Sequence, residues 1–319
     1  MLALLFPGQG AQEVGMGRDV FEASPAARGV FEAADHALSF PLSRLCFEGP
    51  DAELRRTEIQ QPAILTTSIA LFRALEERGP VSPAFAGGHS LGEYSALVAA
   101  GALDFEDAVC LVHARGAYMQ AAVPEGRGAM AAVMGCGPEV VAEACAHVVR
   151  QGGGVVSPAN FNGPAQTAIS GEAAAVELAC ARARKEGARH SVPLAVSAPF
   201  HCELMAPAAA KLAVELARVR FRDPRVPIIS NVAAQPTRDG GELPALLERQ
   251  VTAAVRFTEM VGCMAAEGVT HVLEVGPGRV LTGLVARIDR SLERRNVSVA
   301  GDLEAALEFA AEGSRKQEG

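Results

Sequence analysis

The chain lacks an excess of positive charge, a long apolar run and a paired cysteine motif, and each absence removes a class of function. Its formal net charge is -8 over 319 residues, so it has no basic surface of the kind that neutralises the phosphates of nucleic acid or an anionic membrane. No stretch is long and apolar enough to span a bilayer. The apolar run Leu2 to Phe6 has no basic lead and is shorter than a signal-peptide core. A cytoplasmic protein is expected, with no nucleic-acid and no membrane partner. The seven cysteines (Cys46, Cys110, Cys136, Cys145, Cys180, Cys202, Cys263) are scattered, odd in number and without a C-x-x-C pair. Neither a disulfide framework nor a metal site is suggested, and reduced, mostly buried thiols are expected.

What is present suits a compact enzyme: 49% of the residues are hydrophobic and 21% charged, enough for a sizeable core. Only the segment Gly313 to Gly319 is too polar to order itself, and a frayed tail is expected there. Leu2 to Phe6 is apolar without alternation and ends at Pro7-Gly8, the pattern of a strand buried on both faces. Similar strands are predicted at Ala84 to Gly87, Val226 to Asn231, Val272 to Val275 and Val297 to Ala300, with helical segments between them. That alternation predicts an α/β class with a mainly parallel sheet.

Between Arg127 and Val196 the rhythm changes. Strands are predicted at Ala129 to Met134, Val155 to Ala159, Gln166 to Ser170 and His190 to Val196, with helices at Pro138 to Arg150 and Glu172 to Glu186. The order βαββαβ is the ferredoxin-like signature. The expected division is a large subdomain of residues 1–126 and 197–319 with a small inserted subdomain of residues 127–196, and a cleft where they meet.

The chemistry centres on Gly88-His89-Ser90-Leu91-Gly92. A G-x-S-x-G turn between a strand and a helix, here from Leu91 to about Ala100, lifts a serine hydroxyl clear at the helix N-terminus, where free N–H groups favour developing negative charge. An ordinary turn with a capping serine is the competing reading. A serine nucleophile needs a base. His89 adjoins the serine and is expected to point away. His36, His113 and His147 fall in helical stretches and are expected to be solvated. His190 and His271 sit at strand starts. His201 follows the stiff loop Ser197-Ala198-Pro199-Phe200 and is the best candidate, with His271 as the fallback.

The helix predicted from Asp104 to Val123 has an apolar face made by Ala108, Leu111, Val112, Met119 and Ala122, and Arg115 lies on it. A guanidinium there needs an anionic partner. A structural ion pair or an arginine reaching out to water is one reading; a substrate carboxylate held bidentately is the other. Two glycine-rich turns, Phe6-Pro7-Gly8-Gln9-Gly10 and Glu274-Val275-Gly276-Pro277-Gly278, follow strands, where ligand crevices of open α/β sheets form. Neither has nucleotide-binding spacing. The first is placed to supply an oxyanion N–H, and plain turn punctuation is the alternative.

Taken together, F-P-G-Q-G at Phe6 to Gly10, G-H-S-L-G-E-Y at Gly88 to Tyr94, Arg115 before Gly116, A-P-F-H at Ala198 to His201 and E-V-G-P-G at Glu274 to Gly278 resemble the malonyl-CoA:acyl carrier protein transacylases over nearly the whole chain. The resemblance implies a hydrolase-like α/β subdomain with a ferredoxin-like insert. It implies Ser90 as the acylated nucleophile and His201 as general base, then acid. The N–H groups of Gln9 and Leu91 would form the oxyanion hole, and Arg115 would bind the malonyl carboxylate. Gln250 would orient the histidine through its main-chain carbonyl. Where the family often continues with Leu, Pro and Trp, this chain has Val251, Ala254 and Phe257, read as packing variation.

The implied reaction moves a malonyl group from malonyl-CoA to the phosphopantetheine thiol of an acyl carrier protein by a ping-pong mechanism. No permanently bound cofactor is implied, and a monomer is expected. Leu91 and Phe200 resemble malonyl-selective members, because bulk near the substrate's α-carbon disfavours a branch. The acidic carrier would meet either Arg182, Arg184, Lys185 and Arg189 or Arg287, Arg290, Arg294 and Arg295. Fatty-acid and polyketide pathways both remain open. A serine esterase or thioesterase needs the same elbow but has no use for a buried Arg115, and a degenerate scaffold needs none of the site residues.

Overall fold

A computed structural model describes residues 1–315. The larger sheet has six strands: β1 (Leu2–Phe6), β2 (Phe85–Gly88), β7 (Ile228–Ile229), β8 (Pro236–Thr237), β9 (His271–Val275) and β10 (Glu293–Val297). The smaller sheet has four: β3 (Gly128–Met134), β4 (Val156–Gly163), β5 (Gln166–Glu172) and β6 (His190–Pro193).

The large sheet runs β10-β9-β1-β2-β7-β8. All neighbours are parallel except the β7–β8 edge hairpin. Alternation along β1 sends Leu2, Leu4 and Phe6 into one core and Ala3 and Leu5 into the other, which is why this strand reads as continuously apolar. Parallel pairing brings the C-terminal ends of β1, β2 and β9 to one edge, so the Pro7-Gly8 turn, the Ser90 turn and the Gly276-Pro277 turn emerge side by side.

The small sheet runs β4-β5-β3-β6 and is antiparallel throughout. This is the ferredoxin-like order expected from the sequence. Its core forms against the helices Pro138–Arg150 and Ala173–Lys185. The strand β4 latches onto the large unit: Val255 N donates to Ala159 O at 2.9 Å, and Phe161 N donates to Val255 O at 2.9 Å.

Several predicted boundaries move, each for a local reason. The strand expected over Val226 to Asn231 shrinks to Ile228–Ile229: Pro227 has no N–H for the ladder at its start, and the chain turns at Ser230, whose carbonyl accepts from Ala234 N. The last strand lies at Glu293–Val297 rather than Val297 to Ala300. It is an edge strand in which four of five residues are polar, exposed and half-buried in alternation, so an apolar run is the wrong signal for it. β6 ends at Pro193, short of the expected Val196. The tail is corrected too: Gly313 to Arg315 complete the final helix Leu303–Arg315, and residues 316–319 lie outside the described residues.

His113 is not solvated as expected. Pro62 sits inside the helix Thr57–Arg78 and cannot donate to the carbonyl of Glu58. His113 Nδ1 lies 2.8 Å from that freed oxygen and satisfies it. Of the seven thiols, Cys46, Cys145, Cys180 and Cys202 are buried, Cys136 and Cys263 are partly so, and Cys110 is exposed. Among the described residues no helix is long and apolar enough to cross a membrane.

Candidate active site

Ser90 closes the turn after β2 with a positive φ of 52°, the left-handed region that a non-glycine residue adopts only under outside restraint. The flanking glycines serve a different need. A Cβ on Gly88 would lie 2.1 Å from the carbonyl carbon of Gly92, and one on Gly92 would lie 2.0 Å from Phe6 O. They allow close packing of turn, helix and β1 while the serine itself takes the left-handed backbone. Asn231 supplies the restraint: its Oδ1 accepts from Ser90 N at 2.7 Å, and its Nδ2 donates to Gly88 O at 2.7 Å.

The structure brings Ser90, His201, Arg115 and Gln250 together. Ser90 Oγ lies 2.8 Å from His201 Nε2, and His201 Nδ1 lies 2.8 Å from the main-chain oxygen of Gln250. Since a carbonyl only accepts, Nδ1 carries the proton and Nε2 is left as an acceptor for the serine hydroxyl. Burial, with help from the Arg115 charge, pushes His201 down to about 3, so the ring is neutral at working pH. The nucleophile and its acceptor are therefore paired without a carboxylate behind the histidine.

Arg115 is fully buried, and its guanidinium donates to Gln61 Oε1 at 2.7 Å, Gln250 Oε1 at 2.9 Å and Ser90 Oγ at 3.1 Å. The ring of Tyr94 lies beneath it, 5.7 Å from its central carbon. The side chain does not reach water, and it forms no ion pair among the described residues. Its Nε has no hydrogen-bond partner there, so the guanidinium keeps one donor unused.

The cleft in front of Ser90 has a volume of about 220 Å³. Gly8, Gln9 and His89 line it from the large unit, Met130, Asn160 and Asn162 from the small sheet, and Phe200 and His201 from the connecting loop. On a third side stand Val280, Leu281 and Leu284. Their helix is anchored by Glu274, which accepts from Leu281 N at 3.0 Å and Thr282 N at 2.7 Å. The E-V-G-P-G turn thus caps the helix that forms a cleft wall. The N–H groups of Gln9 and Leu91 donate to no described group. Unused main-chain donors at a turn and a helix N-terminus are what an oxyanion requires.

Three expectations change. His89 does not turn away: it lines the same cleft, with Nε2 2.8 Å from Asn162 Oδ1 across it. His271 is ruled out as a base, since it pairs with Leu2 at the far end of the sheet, whereas Gly88 pairs with Phe6. The side chain of Leu91 is buried in the main core and does not line the cleft, so the steric part of the selectivity expectation falls to Phe200. The sequence reading also missed Asn231, Glu93 and Gln61. Glu93 was visible as the sixth letter of G-H-S-L-G-E-Y; the other two had no motif to announce them.

Comparison with known proteins identifies the family. The family described as "Acyl transferase domain" matches residues 3–311. A malonyl CoA-acyl carrier protein transacylase of Escherichia coli (strain K12) is 48% identical over 307 residues, 96% of this chain and 99% of that protein. Its counterpart in Bacillus subtilis (strain 168) is 47% identical, covering 96% of each. Among solved structures, an acyl carrier protein S-malonyltransferase from Vibrio cholerae superposes with a TM-score of 0.93 at 45% identity, over 95% of this chain and 99% of that one. A malonyl-transacylase solved in complex with a type II PKS acyl-carrier protein gives a TM-score of 0.93 at 45% identity, over 96% and 99%. A buried arginine beside a histidine-paired serine, on a fold shared across nearly the full length, places this chain in the malonyl-CoA:acyl carrier protein transacylase family of acyltransferases.

Proposed function

We propose that this enzyme transfers a malonyl group from malonyl-CoA to the phosphopantetheine thiol of an acyl carrier protein through an ester on Ser90. The observation that carries the reading is Arg115, buried with no carboxylate in direct contact among the described residues, 3.1 Å from Ser90 Oγ. In a malonyl ester the free carboxylate stands only one methylene beyond the ester carbonyl, so its counter-charge has to lie next to the serine oxygen. A longer diacid would overshoot.

In the first half-reaction His201 Nε2 takes the proton of Ser90 Oγ as the oxygen attacks the thioester carbon. The tetrahedral oxyanion accepts from the N–H groups of Gln9 and Leu91. The C–S bond then breaks, and the imidazolium returns its proton to the departing sulfur, so coenzyme A leaves as a thiol. The second half runs in reverse order with the carrier's thiol, and Ser90 regains its proton. Gln250 holds the ring tautomer through its main-chain oxygen. Phe200 narrows the pocket at the substrate's α-carbon. Residues 127–196 act as the inserted wall of the cleft against residues 1–126 and 197–319. A monomeric enzyme in the cytoplasm belongs to the same reading.

Of the two basic clusters, the second supports carrier docking better. Arg287 follows the cleft residues on the helix Val280–Ile288 and donates to Gln166, a cleft-lining residue, at 2.9 Å. In the first cluster Arg182 is paired with Glu186 and Arg184 is bound to Ser191. Because the relative solved with its carrier serves a type II PKS acyl-carrier protein, delivery to a polyketide carrier is a second reading beside fatty-acid synthesis. Incubation with malonyl-CoA and mass mapping of the adduct tests the proposal. A stable malonyl group on Ser90 supports it, and rapid release of free malonate without acceptor would make the enzyme a hydrolase. Transfer assays with each carrier separate the pathways.

A further inference from the structure

Glu93 is a buried carboxylate in contact with the site. It is 1% exposed and lies three residues after the serine on the helix Gly92–Ala99. Its Oε2 accepts from Gln250 Nε2 at 2.6 Å. The same amide nitrogen donates to Ser90 O at 3.0 Å, while Gln250 Oε1 accepts from Arg115 at 2.9 Å. Because a carboxylate and a carbonyl both demand a donor, Glu93 and Ser90 O fix which way the Gln250 amide faces, and the oxygen is turned to Arg115. One neutral amide thus separates a buried cation from a buried anion.

Among the described residues, the titratable groups that face this pair are held neutral. His201 is neutral, and burial holds Tyr94 neutral, pushed up to about 12. His89, across the turn, is shifted toward its neutral form by burial. From the β7 side come the amide of Asn231, whose N–H lies 3.3 Å from Glu93 Oε2, and Ser230. Arg256 meets Asn231 through its main chain but turns its guanidinium to Glu259 and to the carbonyls of Val232 and Ala233. At pH 8, above the value of about 7 to which burial pushes Glu93, the unacylated enzyme therefore holds one positive and one negative charge here.

We propose that Glu93 is the resting counter-charge of Arg115, and that it takes up a proton when an acyl group ending in a carboxylate is loaded on Ser90. The inference rests on the malonyl reading above. A substrate carboxylate on Arg115 puts two anions on one buried cation, and two carboxylates sharing such a site do not both stay ionised. The substrate's carboxylate touches the guanidinium directly, whereas Glu93 is separated from it by Gln250 and already sits in surroundings that push it up to about 7. The proton therefore goes to Glu93 and comes from solvent. Protonated, Glu93 keeps one oxygen free to accept from Gln250, so the amide that positions Arg115 holds its orientation. Glu93 is a positioning residue that keeps the site neutral in both states.

The test is a proton count. Acylation itself exchanges the Ser90 hydroxyl proton for a coenzyme A thiol proton and is neutral overall. At pH 8, loading from malonyl-CoA and from acetyl-CoA is followed with a pH indicator in weak buffer, and the acyl-enzyme is quantified by mass spectrometry. Malonyl loading should take up more than about half a proton per acylated serine in excess of acetyl loading. Glu93→Gln should load malonyl with no excess uptake. In the unmodified enzyme, an infrared difference spectrum should show a new protonated-carboxyl band with malonyl and none with acetyl, a reading that does not depend on a folded variant. Equal proton counts for the two donors, uptake that persists in Glu93→Gln, or absence of that band overturns the inference. If no malonyl group forms on Ser90 at all, the functional reading fails first, a result the mass measurement distinguishes from the others.

Discussion

His201 Nδ1 meets the main-chain carbonyl of Gln250 at 2.8 Å, where many serine enzymes place a carboxylate. A main-chain oxygen fixes the tautomer without adding a full negative charge, and this leaves the imidazole far less basic than a carboxylate partner would. Ser90→Ala should abolish the acyl adduct. His201→Ala should lower the rate of acylation by roughly 10²- to 10⁴-fold. Stopped-flow release of coenzyme A from a single turnover checks both, and acylation of Ser90→Ala at another residue would dismiss the assignment.

Arg115→Ala removes the charge-assisted contact to the substrate carboxylate and the bond to Ser90 Oγ. The expected outcome is a fall in kcat/KM for malonyl-CoA by about 10²-fold or more, with acetyl-CoA used as well as before or better. Competition between the two thioesters, read by mass spectrometry of the acyl-enzyme, gives the ratio directly. An unchanged preference would leave Arg115 a structural residue.

Phe200 lines the cleft next to the base, while Leu91 points into the core. Phe200→Ala should raise the ratio of methylmalonyl to malonyl transfer by about tenfold, the scale on which a pocket senses one methyl group. Leu91→Met should leave that ratio alone. A shift with Leu91→Met and none with Phe200→Ala would reverse the assignment.

Burial raises Glu93 to about 7. A carboxyl group with a raised folded-state value holds its proton in the folded chain and loses it in the unfolded one between about pH 4.5 and 7, so the fold loses stability as pH rises across that range and loses no more above it. Glu93→Gln should therefore match the unmodified enzyme near pH 4 and exceed it at pH 8, by up to about 3 kcal/mol. His201 works in the opposite sense. Its folded value of about 3 lies below the unfolded one, so the fold loses stability as pH falls from about 6.5 toward 3. Urea unfolding at the two pH values checks the Glu93 prediction, and a variant no more stable at pH 8 than at pH 4, relative to the original, contradicts it.

Reversing the charge of Arg287, at the rim of the cleft, should raise KM for the carrier protein severalfold at low salt and leave loading from malonyl-CoA unchanged. The difference should shrink as salt is added. Equal KM values at low salt would return attention to the cluster Arg182 to Arg189.

The sequence by itself determined the parts whose signal is local. The unbroken apolar run of β1 announced a strand buried on both faces. The order of elements between β3 and β6 announced the ferredoxin-like insert, and G-H-S-L-G announced the nucleophile, because each depends on residues close together in the chain. Edge strands escaped that reading: four of the five residues of β10 are polar, and Pro227 cuts the start of β7 short. Only the tertiary structure decided what lies across long sequence separations. It set Asn231 against Ser90 N, 141 residues away, put Glu93 behind Gln250, turned Leu91 into the core and brought His89 into the cleft. For Arg115 the sequence showed an anomaly, a charge on an apolar face. The fold added what spacing could not show: among the described residues no carboxylate touches the guanidinium, and it donates to the serine oxygen at 3.1 Å.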